Sequence, residues 1–96
     1  MIVHIVMFKF KEENKQASLV KVRAILEQLP KKIDELVSME VGLNFDTADR
    51  AMDLSLYSTF KTEGDLESYA VHPAHIKVVE FIKTVVTESK VVDYIL

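Results

Sequence analysis

Residues Tyr69 to His75 read YAVHPAH. They hold two of the three histidines, one of the two prolines and one of the three tyrosines in the chain. Three readings fit such a cluster. An imidazole near a phenol can move a proton beside a carbonyl and bind the oxygen on which charge develops. His72 and His75, three residues apart, with His4 as a third nitrogen, could make an open zinc set. A His-Pro pair can also simply end one helix and begin the next. The zinc reading is the weakest, because the positive end of a helix starting at Pro73 repels a cation. Glu80 lies more than a turn further on, so no carboxylate is well placed to help, and no metal is expected.

Composition narrows the remaining classes. At 96 residues the chain is expected to form one domain, 1–96, with a real but thin core. Its 12 Lys and Arg are scattered against 15 Asp and Glu, for a net charge of -3. That balance argues against a nucleic-acid footprint or a polybasic membrane patch. There is no cysteine, which removes disulfides, thiolate metal sites and cysteine nucleophiles. No apolar run is long enough to span a membrane, and MIVHIVMFKF lacks the basic start and cleavage site of a secretory leader. A cytoplasmic protein is the expectation. No Gly-rich phosphate loop is present, and no cofactor is expected.

The elements that must position YAVHPAH follow from periodicity. Ile2, His4, Val6, Phe8 and Phe10 alternate with Val3, Ile5 and Met7, and both sets are largely apolar, so this strand should be covered on both sides. Asn14 is a plausible cap for a helix carrying Leu19, Val22, Ile25, Leu26 and Leu29, which Pro30 should close. SMEVGLNF reads as a second strand. MDLSLYSTF reads as a third, with Leu54 and Leu56 on one face and Asp53, Ser55 and Tyr57 on the other. TEGD has the form of a capping box opening a short helix through Tyr69. Pro73 suits the first position of a longer helix, and KVVDYIL the final strand. The order β-α-β-β-α-β predicts an α+β, ferredoxin-like sandwich with helices on one sheet face only. Ile5, Met7 and Tyr57 leave the other face apolar. A homodimer closed through that face is therefore expected.

Three pieces carry a resemblance: HIVMFKFK at the start, YAVHPAHIKVV before the long helix and VVDYIL at the end. Together they resemble the stress-responsive A/B barrel, or Dabb, family, in order and spacing over essentially the whole chain. The resemblance implies a dimeric α/β barrel. The family includes plant stress proteins and polyketide cyclases of the olivetolic acid type, so it implies a fold more firmly than a job. Two expectations follow: a stress-associated or ligand-binding protein holding a small apolar molecule between sheet and helices, or a cyclase/lyase-like enzyme. For the enzyme, the resemblance puts the general base at His75 and a carbonyl hydrogen-bond donor at Tyr69. His4, Val6, Phe8, Leu19, Val22, Leu56 and His72 would contact the ligand. His75 would lie in the first turn of its helix, where the dipole keeps the imidazole neutral and able to accept a proton.

Overall fold

The computed structural model describes residues 1–96. Its elements are β1 (Ile2–Phe10), α1 (Lys15–Glu27), α2 (Leu29–Lys32), β2 (Leu36–Leu43), β3 (Leu54–Phe60), α3 (Glu63–Val71), α4 (Pro73–Val85) and β4 (Val86–Ile95). The four strands form one sheet in the order β2-β3-β1-β4, with every neighbouring pair antiparallel. This is the expected ferredoxin-like arrangement. β1 lies in the interior of the sheet, with β3 on one side and β4 on the other.

One face packs on the helices. Ile2, Phe8 and Phe10 of β1 join Leu54, Leu56 and Phe60 of β3 in a single core with Leu19, Val22 and Leu26 of α1 and Val78 and Ile82 of α4. Strict alternation would put Leu36 and Val41 of β2 on opposite faces, yet both are buried. A bulge resolves this: Leu36 and Ser38 oppose the adjacent residues Phe60 and Thr59, so Val37 is the extra residue. The other face carries Ile5, Met7, Tyr57, Val92 and Tyr94, and Tyr57 and Val92 flank Ile5 across the sheet. In the single chain Met7, Tyr57, Val92 and Tyr94 are exposed.

Two local expectations are corrected. Asn14 stands at the start of α1 with φ 56 and its side chain makes no capping bond. Its role is the left-handed turn out of β1, which asparagine tolerates better than most residues. Pro30 does not close α1, which already ends at Glu27; it lies in the first turn of α2, where its missing N–H costs nothing.

Asp53 was expected on the open sheet face and is instead buried. Its Oδ2 accepts the Phe10 N–H at 2.7 Å, and its Oδ1 meets the Lys15 ammonium at 3.0 Å. Its own N–H donates to the Phe8 carbonyl at 2.8 Å. One side chain therefore ties the approach to β3, the end of β1 and the first turn of α1 together.

Candidate active site

The corner between α3 and α4 is a single residue, His72. The proline that follows forces it into extended backbone, φ −64 and ψ 134, which stops α3 and restarts the chain as α4. Its N–H donates to the Tyr69 carbonyl at 3.1 Å. Its Nδ1 accepts the Ala74 N–H at 3.0 Å, so that nitrogen is unprotonated and His72 caps α4. Upstream, the Thr62 hydroxyl accepts the Asp65 N–H at 3.1 Å and opens α3 as the TEGD pattern implies.

The consequence is a close, tilted placement of the rings of Tyr69, in the last turn of α3, and His75, in the first turn of α4. Their ring centroids lie 4.3 Å apart at an interplanar angle of 41°. His75 Nδ1 is 3.0 Å from the Ala70 carbonyl oxygen. A carbonyl can only accept, so Nδ1 carries the proton, and in the neutral ring Nε2 keeps its lone pair. Burial lowers the pKa of His75 below the ordinary 6.5; the bond to Ala70 opposes this in part, and His4 and His72 add to the lowering. The ring is thus a neutral base near pH 7.

Beneath them, β1 brings His4 to the helix side of the sheet. Its ring centroid is 6.3 Å from that of Tyr69, edge on, and 6.4 Å from that of Phe60. Phe60 and Tyr69 are 5.0 Å apart. His4 pairs across β1 and β4 with Asp93, and its Nδ1–H donates to the Asp93 carboxylate. The tautomer is fixed again, with Nε2 of His4 left as acceptor in the neutral ring. Asp93 was not singled out from sequence. Its signal was there only in part: alternation along β4 puts its carboxylate on the helix side of the sheet, on the strand next to His4.

Tyr69 is 1% exposed, and its hydroxyl is the sole buried side-chain polar atom without a hydrogen-bond partner. Burial pushes the phenol well above its ordinary pKa, so it remains a donor across the physiological range. A buried hydroxyl left unpaired costs about 1–3 kcal/mol.

Other expected site residues divide. His4, Tyr69 and His75 come together. Phe8, Leu19, Val22 and Leu56 are buried in the core, and Val6 packs against it. None of these eight sequence-expected residues lines a cavity of the folded chain, and nor does His72. A hollow of about 80 Å³ bounded by Ile2, Glu63, Leu66, Asp93, Tyr94 and Ile95 reaches the carboxylate that holds His4. No three His, Asp or Glu side chains converge as a metal site would require.

A family model described as the stress responsive A/B barrel domain matches residues 2–96. The chain belongs to this family. Among solved structures, a dimeric protein of unknown function and ferredoxin-like fold from Bacteroides fragilis NCTC 9343 is 31% identical, with TM-score 0.88 over 97% of this chain and 93% of that one. A dimeric ferredoxin-like protein of unknown function from Thermobifida fusca superposes at TM-score 0.89 with 23% identity, over 99% and 90% of the two chains. The hydroxynitrile lyase of Passiflora edulis shares the fold at TM-score 0.88, with 21% identity over 99% and 92%. No protein of curated function matches the chain. No helix of this Dabb domain is long and apolar enough to cross a membrane.

The His75 environment makes stability depend on pH in a defined direction. Because its folded pKa is depressed, the unfolded chain binds more protons once pH drops below about 6.5. The contribution of this group is therefore complete above that value and is lost as pH falls toward the lowered one. Urea midpoints at pH 7.5 and 5.0 should differ less for His75→Gln than for the wild type. An unchanged difference would show that His75 is solvated as in the unfolded chain.

Proposed function

We propose that this Dabb protein is a homodimer, closed through its open sheet face, that binds a small apolar carbonyl compound at Tyr69 and His75. Proton transfer of the lyase or cyclase kind takes place there without a cofactor. The observation that carries this reading is the Tyr69 hydroxyl, kept buried and unpartnered beside a neutral imidazole. An unpaired donor in a dry site is what a carbonyl or developing enolate oxygen would satisfy. His75 supplies the base through Nε2, and His4, held by Asp93, lines the floor as a positioning residue. The dimeric state of the structural relatives supports the interface, and a lyase built on the same fold supports the class of reaction. A ligand must displace side chains to reach the hydroxyl, since no cavity opens onto it.

A structural reading has its own support, since Leu19, Val22, Leu56 and Phe8 are buried in the same core as Tyr69 and line no cavity. The two separate on His75→Gln. Mandelonitrile cleavage, followed by release of benzaldehyde, together with benzaldehyde binding monitored at the histidine resonances, covers both chemistry and binding. If the site is catalytic, turnover should fall by about 10²–10⁴-fold with little change in melting temperature. A variant that melts far lower, or a wild type whose His75 resonance ignores benzaldehyde, would assign the cluster to structure.

A further inference from the structure

We propose that a second site, on the outer side of the helical layer, binds a small amphiphilic anion: an apolar chain ending in a carboxylate. The largest cavity of the protein, about 470 Å³, lies between α1 and α4; Pro73 and Ala74 at the start of α4 border it, but no strand residue does, and neither Tyr69 nor His75 lines it. Its apolar surface comes from Ile25, Val78 and Phe81, and its polar rim includes Lys21, Lys32 and Lys77. The chain is net acidic, yet none of its 15 acids lines this cleft. None of the three lysines takes part in an ion pair, whereas Lys15 and Lys90 both do. Lys21 instead holds its ammonium 4.1 Å from the centroid of the Phe81 ring, where the charge is fixed over the apolar floor.

These features select a ligand by chemistry. The apolar floor rewards a hydrocarbon body, since burial of each methylene contributes about 0.8 kcal/mol. Three unpaired ammonium groups around it favour a negative head and disfavour a neutral or cationic one. No arginine lines the cleft, so recognition is by point charge rather than a bidentate fork. The volume falls within the range of small-molecule sites. The site does not depend on the chemistry assigned to Tyr69 and His75.

The test is calorimetric titration of the full chain with decanoate, below its micelle concentration, alongside decanol and acetate. Saturable binding of decanoate at one per chain is expected, with decanol and acetate each weaker by about tenfold or more. Lys77→Glu and Lys32→Glu, both on the surface, should each weaken decanoate by about tenfold while leaving the circular dichroism unchanged. Tyr69→Phe should leave decanoate affinity as it is. Equal binding of decanol would overturn the proposal, as would indifference to both lysine reversals. So would loss of binding in Tyr69→Phe, which would place the ligand in the other site. Binding only to phosphatidylglycerol vesicles, and not to free decanoate, would overturn it in favour of a lipid surface.

Discussion

Ile5→Glu is expected to separate the dimer into single chains, raising its dissociation constant by roughly 10³-fold. Ile5 lies in the interior of the sheet, opposite Tyr57 on β3 and Val92 on β4, with Glu40 one strand further along the same row. In the proposed dimer each subunit would bring one buried, unpaired carboxylate between the Tyr57 and Val92 side chains at the middle of that face. The desolvation of two such charges exceeds what the remaining contacts return. Sedimentation equilibrium would read the result directly. A variant that still sediments as a dimer at wild-type concentrations would place the interface elsewhere.

The second large effect is on folding. Asp53→Ala should cost about 2–4 kcal/mol, because it strands the buried Phe10 N–H and leaves Lys15 without its main counter-charge. Asp53→Asn should cost less, since the amide oxygen can still accept from Phe10. Burial alone would push the Asp53 carboxyl up, but the Phe10 N–H and the Lys15 ammonium outweigh it and hold the pKa below 3.8. The hydrogen bond to Asp53, with its charge, in turn raises Lys15 above 10.5. The pair therefore stabilises the fold fully between those two ordinary values. Its contribution fades as pH falls through the lowered Asp53 pKa, and again as pH rises through the raised Lys15 pKa. Guanidinium unfolding of the two variants at pH 7 would separate the two contacts, since both variants lose the ion pair and only Asn keeps the acceptor; equal costs would show that the hydrogen bond to Phe10 contributes nothing.

Local and periodic features were legible in the sequence because their causes lie within a few residues. The two-sided β1, the Thr62 cap and the His72–Pro73 corner each follow from side-chain alternation or proline geometry. The pairing of Tyr69 with His75 as site residues came from the family resemblance carried by YAVHPAH. What was not legible depended on register between distant segments. Asp93 meets His4 only because β1 and β4 pair as they do, and Asp53 meets Lys15 only because β3 starts beside the first turn of α1. Alternation from Leu54 onward put Asp53 on the open face, but it precedes the paired strand and turns inward. Leu19 and Val22 could be placed on the inner side of α1, but whether that space was filled depended on how tightly the helices close over the sheet.

The sign of one free-energy change tests the site most directly. Tyr69→Phe removes a buried hydroxyl that has no partner and leaves the ring contacts with Phe60 and His75 in place. If that hydroxyl is held in reserve for a ligand's carbonyl oxygen, urea unfolding of the unliganded variant should show a gain of about 1 kcal/mol over wild type. A loss of similar size would mean that the hydroxyl is already bonded within the folded dimer, and that Tyr69 belongs to the architecture rather than to a binding site.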